Sequence, residues 1–317
     1  MPDEPKAGVI LISGSGPQNR DQLFMGHRPF WVIADQLTKQ GIAVLRYDDR
    51  GVADSEGNFD TATSYDFAED ASGAINFLQQ VDKLKQKSVG VIGHSEGGLI
   101  APVLASINQQ VAFAILLAGP SRTGKFVSEN QMIKILLSNG VSKTTAHAGS
   151  NITKALNNVV LNSSSLDKEA LIAKLKLTYQ QSWDALTADS KNQLQRLGGG
   201  SLTQARIKML TGDWYKVFLQ HEPVTYLSTI EVPTLALFGE KDVQISTADH
   251  YPMMQQALLK SGHSSSQVHV LKDHNHMFQK SKTGAMSEYQ QIEETISADT
   301  LSVMTQWILT VTNKNTH

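Results

Sequence analysis

The stretch that decides the fold is SVGVIGHSEGGLIAPVLA, residues 88–105. An apolar strand pattern at residues 89–92 leads into the turn GHSEG (residues 93–97), and an apolar helical pattern follows at once. A serine on such a strand–turn–helix sits on a sharp turn that exposes its Oγ at the edge of a sheet. The two flanking glycines lack a Cβ and therefore allow strand and helix to approach closely. The pattern predicts that Ser95 is a nucleophile.

Strand and helix patterns alternate along most of the chain. Short apolar runs predict strands at residues 9–12, 42–47, 89–92, 112–118, 233–238 and 267–271. Apolar residues at helical spacing predict helices at residues 30–40, 64–81, 99–107 and 300–311. This alternation is typical of α/β proteins with a mostly parallel sheet flanked by helices.

The alternation fails between residues 121 and 225, where helix patterns continue without strands. We therefore predict an α/β core from residues 1–120 and 226–317, with a helical insertion at residues 121–225. One interpretation is a surface insertion that only enlarges the core. The other is a cap that contributes to a substrate pocket. The position after the carboxyl end of a strand favours the cap, because ligands bind at that edge of open α/β sheets.

Composition excludes several classes of protein. The chain has 317 residues, of which 40% are hydrophobic and 18% charged, and its net charge is −2. No basic patch indicates nucleic acid, and no Lys/Arg run indicates an anionic membrane. The absence of cysteine excludes disulfides, thiolate metal sites and cysteine nucleophiles. No apolar run is long enough for a transmembrane helix, and the first residues lack the apolar region of a signal peptide. Localisation stays open between the cytoplasm and export of a processed form.

A serine nucleophile needs a base, and the base needs an orienting acid. In chains with this kind of turn, the order is serine, acid, histidine, with the acid and the histidine on loops after later strands. Asp242 directly follows the strand at residues 233–238 and is the predicted acid, with Glu240 as the alternative.

Ten histidines compete for the role of base. Six precede the acid, lie far from a strand end or, at the terminus, are expected to be disordered: His27, His94, His147, His221, His250 and His317. Two more lie before or within the last strand: His263 and His269. His274 and His276 remain, and their spacing does not separate them. Whichever of the two is not the base is expected to be an exposed loop side chain. The pair could also ligate a metal, but no third ligand motif accompanies it, so we predict no metal and no cofactor.

An oxyanion hole requires two backbone N–H groups that point at the developing negative charge. The N–H of Glu96, directly after the serine, is one predicted donor. The second is expected from the loop Gly14-Ser15-Gly16 after the first strand, with Ser15 as the predicted donor. The alternative interpretation of this loop is a plain Gly/Pro turn.

Several motifs, in order along the chain, carry a family resemblance. They are GSGPQNRD (14–21), RYDDRG (46–51), GHSEGG (93–98), GEKD (239–242) and NHMFQ (275–279). With these motifs the chain resembles the α/β-hydrolase superfamily and, within it, a group of bacterial serine carboxylesterases. The resemblance implies the α/β-hydrolase fold, places the catalytic histidine at His276, and implies short-chain esters as substrates.

The resulting prediction is ester hydrolysis through an acyl-enzyme, with the triad Ser95, His276 and Asp242. Trp214, Tyr215 and Phe218 are candidates for the acyl site, and ordinary core packing is the other interpretation of these aromatic residues. A thioesterase, lactone hydrolase or peptidase could use the same triad. A non-catalytic binding protein on the same scaffold is disfavoured, because all three triad positions are occupied. A metal-dependent hydrolase that uses the two loop histidines would be sensitive to chelators.

The chain departs from the family pattern in two places. Ala53 stands where such enzymes usually have glycine, which suggests a different packing of that loop. Relatives also usually have two or more strands before the one at residues 9–12, and this chain has almost no room for them. We therefore expect a truncated or atypically short N-terminus, for which a longer exported precursor is one origin. We also expect the sheet to begin at an exposed edge that such strands would otherwise cover. Pairing of two such edges would give a homodimer.

Overall fold

The computed structural model describes residues 1–313, so His317 lies outside the described residues. Six strands form one sheet in this part of the chain. They are β1 (Ala7–Ile12), β2 (Ile42–Leu45), β3 (Val89–His94), β4 (Val111–Leu117), β5 (Thr234–Gly239) and β6 (Gln267–Leu271). Their order is β2-β1-β3-β4-β5-β6, and every neighbouring pair is parallel. The predicted α/β class is confirmed.

Helices separate the strands along the chain. The α-helices are α1 (Pro29–Lys39), α2 (Ser64–Gln80), α3 (Glu96–Ile107), α4 (Gly124–Ser138), α5 (Lys143–Leu161), α6 (Lys168–Asp184), α7 (Ala188–Gln195), α8 (Gln204–Leu210), α9 (Asp213–Gln220), α10 (Pro223–Leu227), α11 (Thr247–Ser261) and α12 (Ala298–Asn313). Two short 3₁₀ helices lie at Asp82–Leu84 and Met286–Gln291. None of the helices in the described residues is long and apolar enough to cross a membrane.

The inner strands are apolar on both faces because helices cover both faces of a parallel sheet. Every residue of β1, β3 and β5 is buried. β6, at one edge, is exposed or half-buried throughout. The other edge is β2, and β1 lies inside the sheet between β2 and β3. The edge strand on this side of the sheet is therefore β2 and not the strand at residues 9–12, because the chain passes through α1 and adds β2 outside β1.

The described chain divides into two compact units. The sheet unit consists of Met1–Phe59, Ser64–Arg122 and the segment that starts at Glu222. The helical unit consists of Asp60–Thr63 and Thr123–His221, a stretch close to the predicted insertion at residues 121–225. The short segment before α2 belongs to the helical unit, where Asp60 pairs with Lys208 at 2.7 Å.

Local sequence explains how the helical unit begins its helices. A Ser, Thr or Asp side chain at an N-cap can accept a hydrogen bond from one of the unpaired N–H groups of the first turn. Five helices of this unit begin in this way, at Thr123, Ser142, Asp167, Thr187 and Thr203. The unit is thus built from helices whose starting points the sequence marks clearly.

Candidate active site

Ser95 lies on the turn between β3 and α3. Its φ is 55° and its ψ is −114°, a conformation that is costly for a residue with a side chain. A Cβ on Gly97 would overlap the Ile12 carbonyl oxygen, and a Cβ on Gly93 would overlap the Gly97 carbonyl. The two glycines are therefore required for the close approach of β1, β3 and α3. The residues beside Ser95 are buried, whereas Ser95 itself is half-buried, so its Oγ is accessible.

Asp242 is buried in the loop after β5, and each of its carboxylate oxygens has a separate role. Oδ1 accepts hydrogen bonds from the N–H groups of Gln244 at 2.7 Å and Ile245 at 2.8 Å. Oδ2 faces His276 Nδ1 at 2.8 Å. Burial by itself would raise the pKa of Asp242, but the facing imidazole and the two backbone N–H groups outweigh burial and lower the pKa. The carboxylate is thus ionised at neutral pH.

His276 lies in the loop after β6 and is buried against Asp242. An ionised carboxylate only accepts hydrogen bonds, so Nδ1 of His276 carries the proton and donates it to Asp242. In the neutral ring, the tautomer that has its proton on Nδ1 leaves Nε2 free to act as a base. The alternative acid Glu240 instead accepts a hydrogen bond from the N–H of Asp273 at 2.9 Å.

His274, the other loop histidine, makes a different set of contacts. Its Nδ1 lies 2.7 Å from the Lys272 carbonyl oxygen, and its Nε2 lies 2.6 Å from Ser297 Oγ. The expectation that the second histidine of the pair is exposed is wrong, since only 2% of His274 is exposed. The hydrogen bond to Ser297 connects the loop to the start of α12, which explains its burial. No group of three metal-ligating side chains occurs in the part of the chain that the structure describes.

His94 links the serine turn to the histidine loop, a role that sequence reasoning missed. Its Nε2 lies 2.9 Å from the carbonyl oxygen of His276, and its Nδ1 lies 2.8 Å from Gln22 Nε2. Nε2–H therefore donates to His276, and Nδ1 accepts from Gln22. Burial, together with the charge of His276, lowers the pKa of His94 to about 3. A neutral His94 adds no positive charge next to the imidazole that must become protonated.

The loop after β1 lies directly against the serine turn. A Cβ on Gly14 would approach the Ser95 Cβ to 3.3 Å. The N–H of Gly14 donates to Gln22 Oε1 at 3.3 Å, so this amide is used within the loop. Ser15 follows on an exposed part of the loop, and Glu96 begins α3 with a buried side chain that accepts from Ser64 Oγ at 2.6 Å. The oxyanion roles of Ser15 and Glu96 stay predictions.

The three predicted pocket residues lie on α9 of the helical unit. The Trp214 and Phe218 rings stack with their centroids 5.2 Å apart. Tyr215 is buried, and its hydroxyl donates to Asn157 Oδ1 at 2.8 Å. These contacts are those of packed helices, and the acyl-site role of the three residues stays a prediction.

A comparison with family models identifies the class of protein that has this fold. A family described as alpha/beta hydrolase fold matches residues 9–283. The chain belongs to this family. The predicted superfamily and fold are thereby confirmed.

Among curated proteins, Esterase EstD from Thermotoga maritima is 24% identical over 274 residues. The match covers 86% of this chain and 55% of that protein, so the chain spans about half the length of the curated relative.

Solved structures show the same fold at lower identity. The Pyrococcus furiosus esterase PF2001 has a TM-score of 0.54 at 12% identity and covers 97% of this chain and 83% of its own. The α/β hydrolase GrgF from Penicillium sp. sh18 has a TM-score of 0.55 at 17% identity, with 98% and 91% covered. A proline iminopeptidase from Mycobacterium smegmatis has a TM-score of 0.55 at 13% identity, with 99% and 94% covered.

Proposed function

We propose that this protein is a serine carboxylesterase that hydrolyses small-molecule esters with short acyl chains. The observation that carries the proposal is the 2.8 Å pair of His276 Nδ1 and Asp242 Oδ2 in the same unit as the strained turn of Ser95. Membership of the α/β-hydrolase family and the relative named as an esterase support this function. The helical unit is proposed to be the cap that supplies the acyl site.

The mechanism follows from the roles of the individual atoms. Ser95 Oγ attacks the ester carbonyl carbon while His276 Nε2 accepts the hydroxyl proton. Asp242 holds the imidazole in the tautomer that leaves Nε2 free and stabilises its protonated form. The N–H groups of Glu96 and Ser15 stabilise the oxyanion of the tetrahedral intermediate. His276 then protonates the leaving alcohol, and an acyl group remains on Ser95. Water, activated by the same imidazole, releases the acid.

Hydrolysis of p-nitrophenyl acetate, butyrate and octanoate tests the proposal. Ser95→Ala and His276→Gln are expected to lose activity by about 10³-fold or more, since each removes a member of a unit that acts together. His274→Gln is the matched control. It changes the neighbouring histidine of the same loop and is expected to keep activity within about threefold. The ratio of the three rates gives the acyl-length preference.

Three outcomes would contradict the proposal. Activity that survives in Ser95→Ala excludes the serine mechanism, and loss with EDTA indicates a metal-dependent hydrolase. Cleavage of thioesters, lactones or aminoacyl amides at higher kcat/KM than esters would replace the substrate class while keeping the triad. The predicted homodimer is tested separately by light scattering at micromolar concentration, where a monomeric mass would contradict it.

A further inference from the structure

The loop that carries Ser15 has no regular structure to hold it in place. Residues 13–18 are neither helix nor strand, and Gly16 has a φ of 92°. An oxyanion donor is useful only when its N–H points at the position where the negative charge develops. Some group outside the loop must therefore fix the loop against the serine turn.

Asp49 contacts the loop at both of its ends. Ser13 Oγ donates to Asp49 Oδ1 at 2.8 Å, and the N–H of Gln18 donates to Asp49 Oδ2 at 2.9 Å. The N–H of Asp49 in turn donates to the Gln18 carbonyl oxygen at 3.0 Å. One carboxylate thus binds both Ser13 and Gln18, the residues on either side of the segment Gly14-Ser15-Gly16-Pro17.

The surroundings of Asp49 are unfavourable for a negative charge. Asp49 lies in a small cavity between the loop and the residues Ile12, Tyr47, Phe67, Asp70, Glu96 and Ile100, and Ser13, Gly14 and Gly16 line its loop side. Burial, with smaller contributions from the carboxylates of Glu96 and Asp70, raises the pKa of Asp49 to about 6, although the two loop hydrogen bonds lower it. Arg50 pairs with Asp70 at 2.7 Å and reduces the repulsion from that side. Two acceptor oxygens, one for each end of the loop, are what a carboxylate offers at this unfavourable position.

We propose that Asp49 is a positioning residue, which holds the oxyanion loop against Ser95 by accepting one hydrogen bond at each end of the loop. The inference rests on the proposed ester hydrolysis for its effect on rate. Asp49 contacts no reacting atom and acts through the position of Ser15. Each of the two carboxylate oxygens accepts one of the two hydrogen bonds.

Asp49→Leu tests the role, because leucine has nearly the shape of aspartate but no hydrogen-bond acceptor. Both loop hydrogen bonds, from Ser13 Oγ and from the N–H of Gln18, are lost. We expect kcat to fall about 10- to 100-fold with KM within twofold, because the lost interaction matters in the transition state. The inhibition constant of phenylboronic acid, which forms a tetrahedral adduct with a serine Oγ, is expected to rise by a similar factor. Ser13→Ala removes one donor and is expected to give a smaller effect of the same kind.

Asp70→Asn is the matched control, since it removes a carboxylate from the same cavity without contacting the loop. At pH 8 its kcat is expected to stay within about twofold of the wild-type value. Amide hydrogen exchange of the peptide that spans residues 13–18 gives a readout independent of activity. The exchange rate is expected to rise at least tenfold in Asp49→Leu and to stay unchanged in Asp70→Asn.

The outcomes separate this inference from the proposed function. If the wild type hydrolyses no ester, the proposed function fails, and hydrogen exchange alone decides whether Asp49 holds the loop. In an active enzyme, unchanged exchange in Asp49→Leu overturns the inference. An unchanged kcat in the Asp49 variant also overturns the inference. An equal loss of kcat in Asp70→Asn overturns it too.

Discussion

Ala53 occupies a backbone position that favours glycine. Its φ is 46°, in the left-handed region, and its side chain is exposed in the loop after Gly51. An L-residue pays about 1–2 kcal/mol in this conformation, whereas glycine adopts it freely. The departure from the family pattern at this residue therefore stores strain in the loop.

Ala53→Gly is expected to raise the free energy of unfolding by about 0.5–1 kcal/mol, since the strain relieved exceeds the entropy that glycine loses on folding. Urea unfolding measures the change. Ala74→Gly, inside α2, is the control and is expected to lower stability by about 1 kcal/mol. Equal destabilisation by both substitutions would show that Ala53 is not strained.

The site residues differ in how far the sequence alone could identify them. The role of Ser95 was predictable because strand, turn and helix adjoin it in sequence. Spacing alone did not separate His274 from His276, because both follow the same strand. The family resemblance favoured His276, and the structure pairs that residue with Asp242. Asp49 contacts residues more than 30 positions away, and no local pattern marks such a contact.

At the scale of elements, the site depends on how closely α3 approaches β1. Gly97 is the second residue of α3, and the space where its Cβ would lie is already filled by the backbone at Ile12. A backbone atom cannot move aside as the end of a flexible side chain can. The position of the nucleophile is therefore set by contacts between backbones.

Gly97→Ala is expected to destabilise the protein by about 3 kcal/mol or more and to abolish the proposed esterase activity, because α3 must shift away from β1. Gly73→Ala is the matched control within α2, where a Cβ has open space. It is expected to raise stability by up to about 1 kcal/mol, as alanine does in helix interiors. Thermal unfolding and p-nitrophenyl butyrate hydrolysis measure both variants, and a stable, active Gly97→Ala would contradict the close approach.

At the scale of the whole molecule, buried neutral histidines make stability depend on pH. Burial lowers the pKa of His94 to about 3 and the pKa values of His221 and His250 to about 4. In the unfolded chain these groups titrate near 6.5. The unfolded state therefore binds more protons as the pH falls below 6.5, and stability is lost progressively between pH 6.5 and the folded-state pKa values.

Each such histidine is expected to lower the free energy of unfolding by about 2 kcal/mol between pH 6.5 and pH 5. Asp49 offsets part of this loss, because its raised pKa of about 6 favours the folded state as it takes up a proton. Melting temperatures at pH 7.5, 6.5, 5.5 and 5.0 measure the trend. His250→Gln removes one titrating group, so its melting temperature is expected to fall less steeply as the pH is lowered. A melting temperature that stays constant down to pH 5 would contradict the assignment of neutral histidines.

Gly124, the first residue of α4, lies so close to α9 that a Cβ there would overlap the Phe218 carbonyl. The inserted helical segment thus starts and ends at nearly the same point. It interrupts the chain between β4 and β5, which are neighbours in the sheet. In evolutionary terms, a segment whose two ends lie side by side in the folded chain can be exchanged as a block without separating the strands on either side of it. The strands that carry Ser95 and Asp242 would keep their order, so new substrate ranges could arise without rebuilding the catalytic unit.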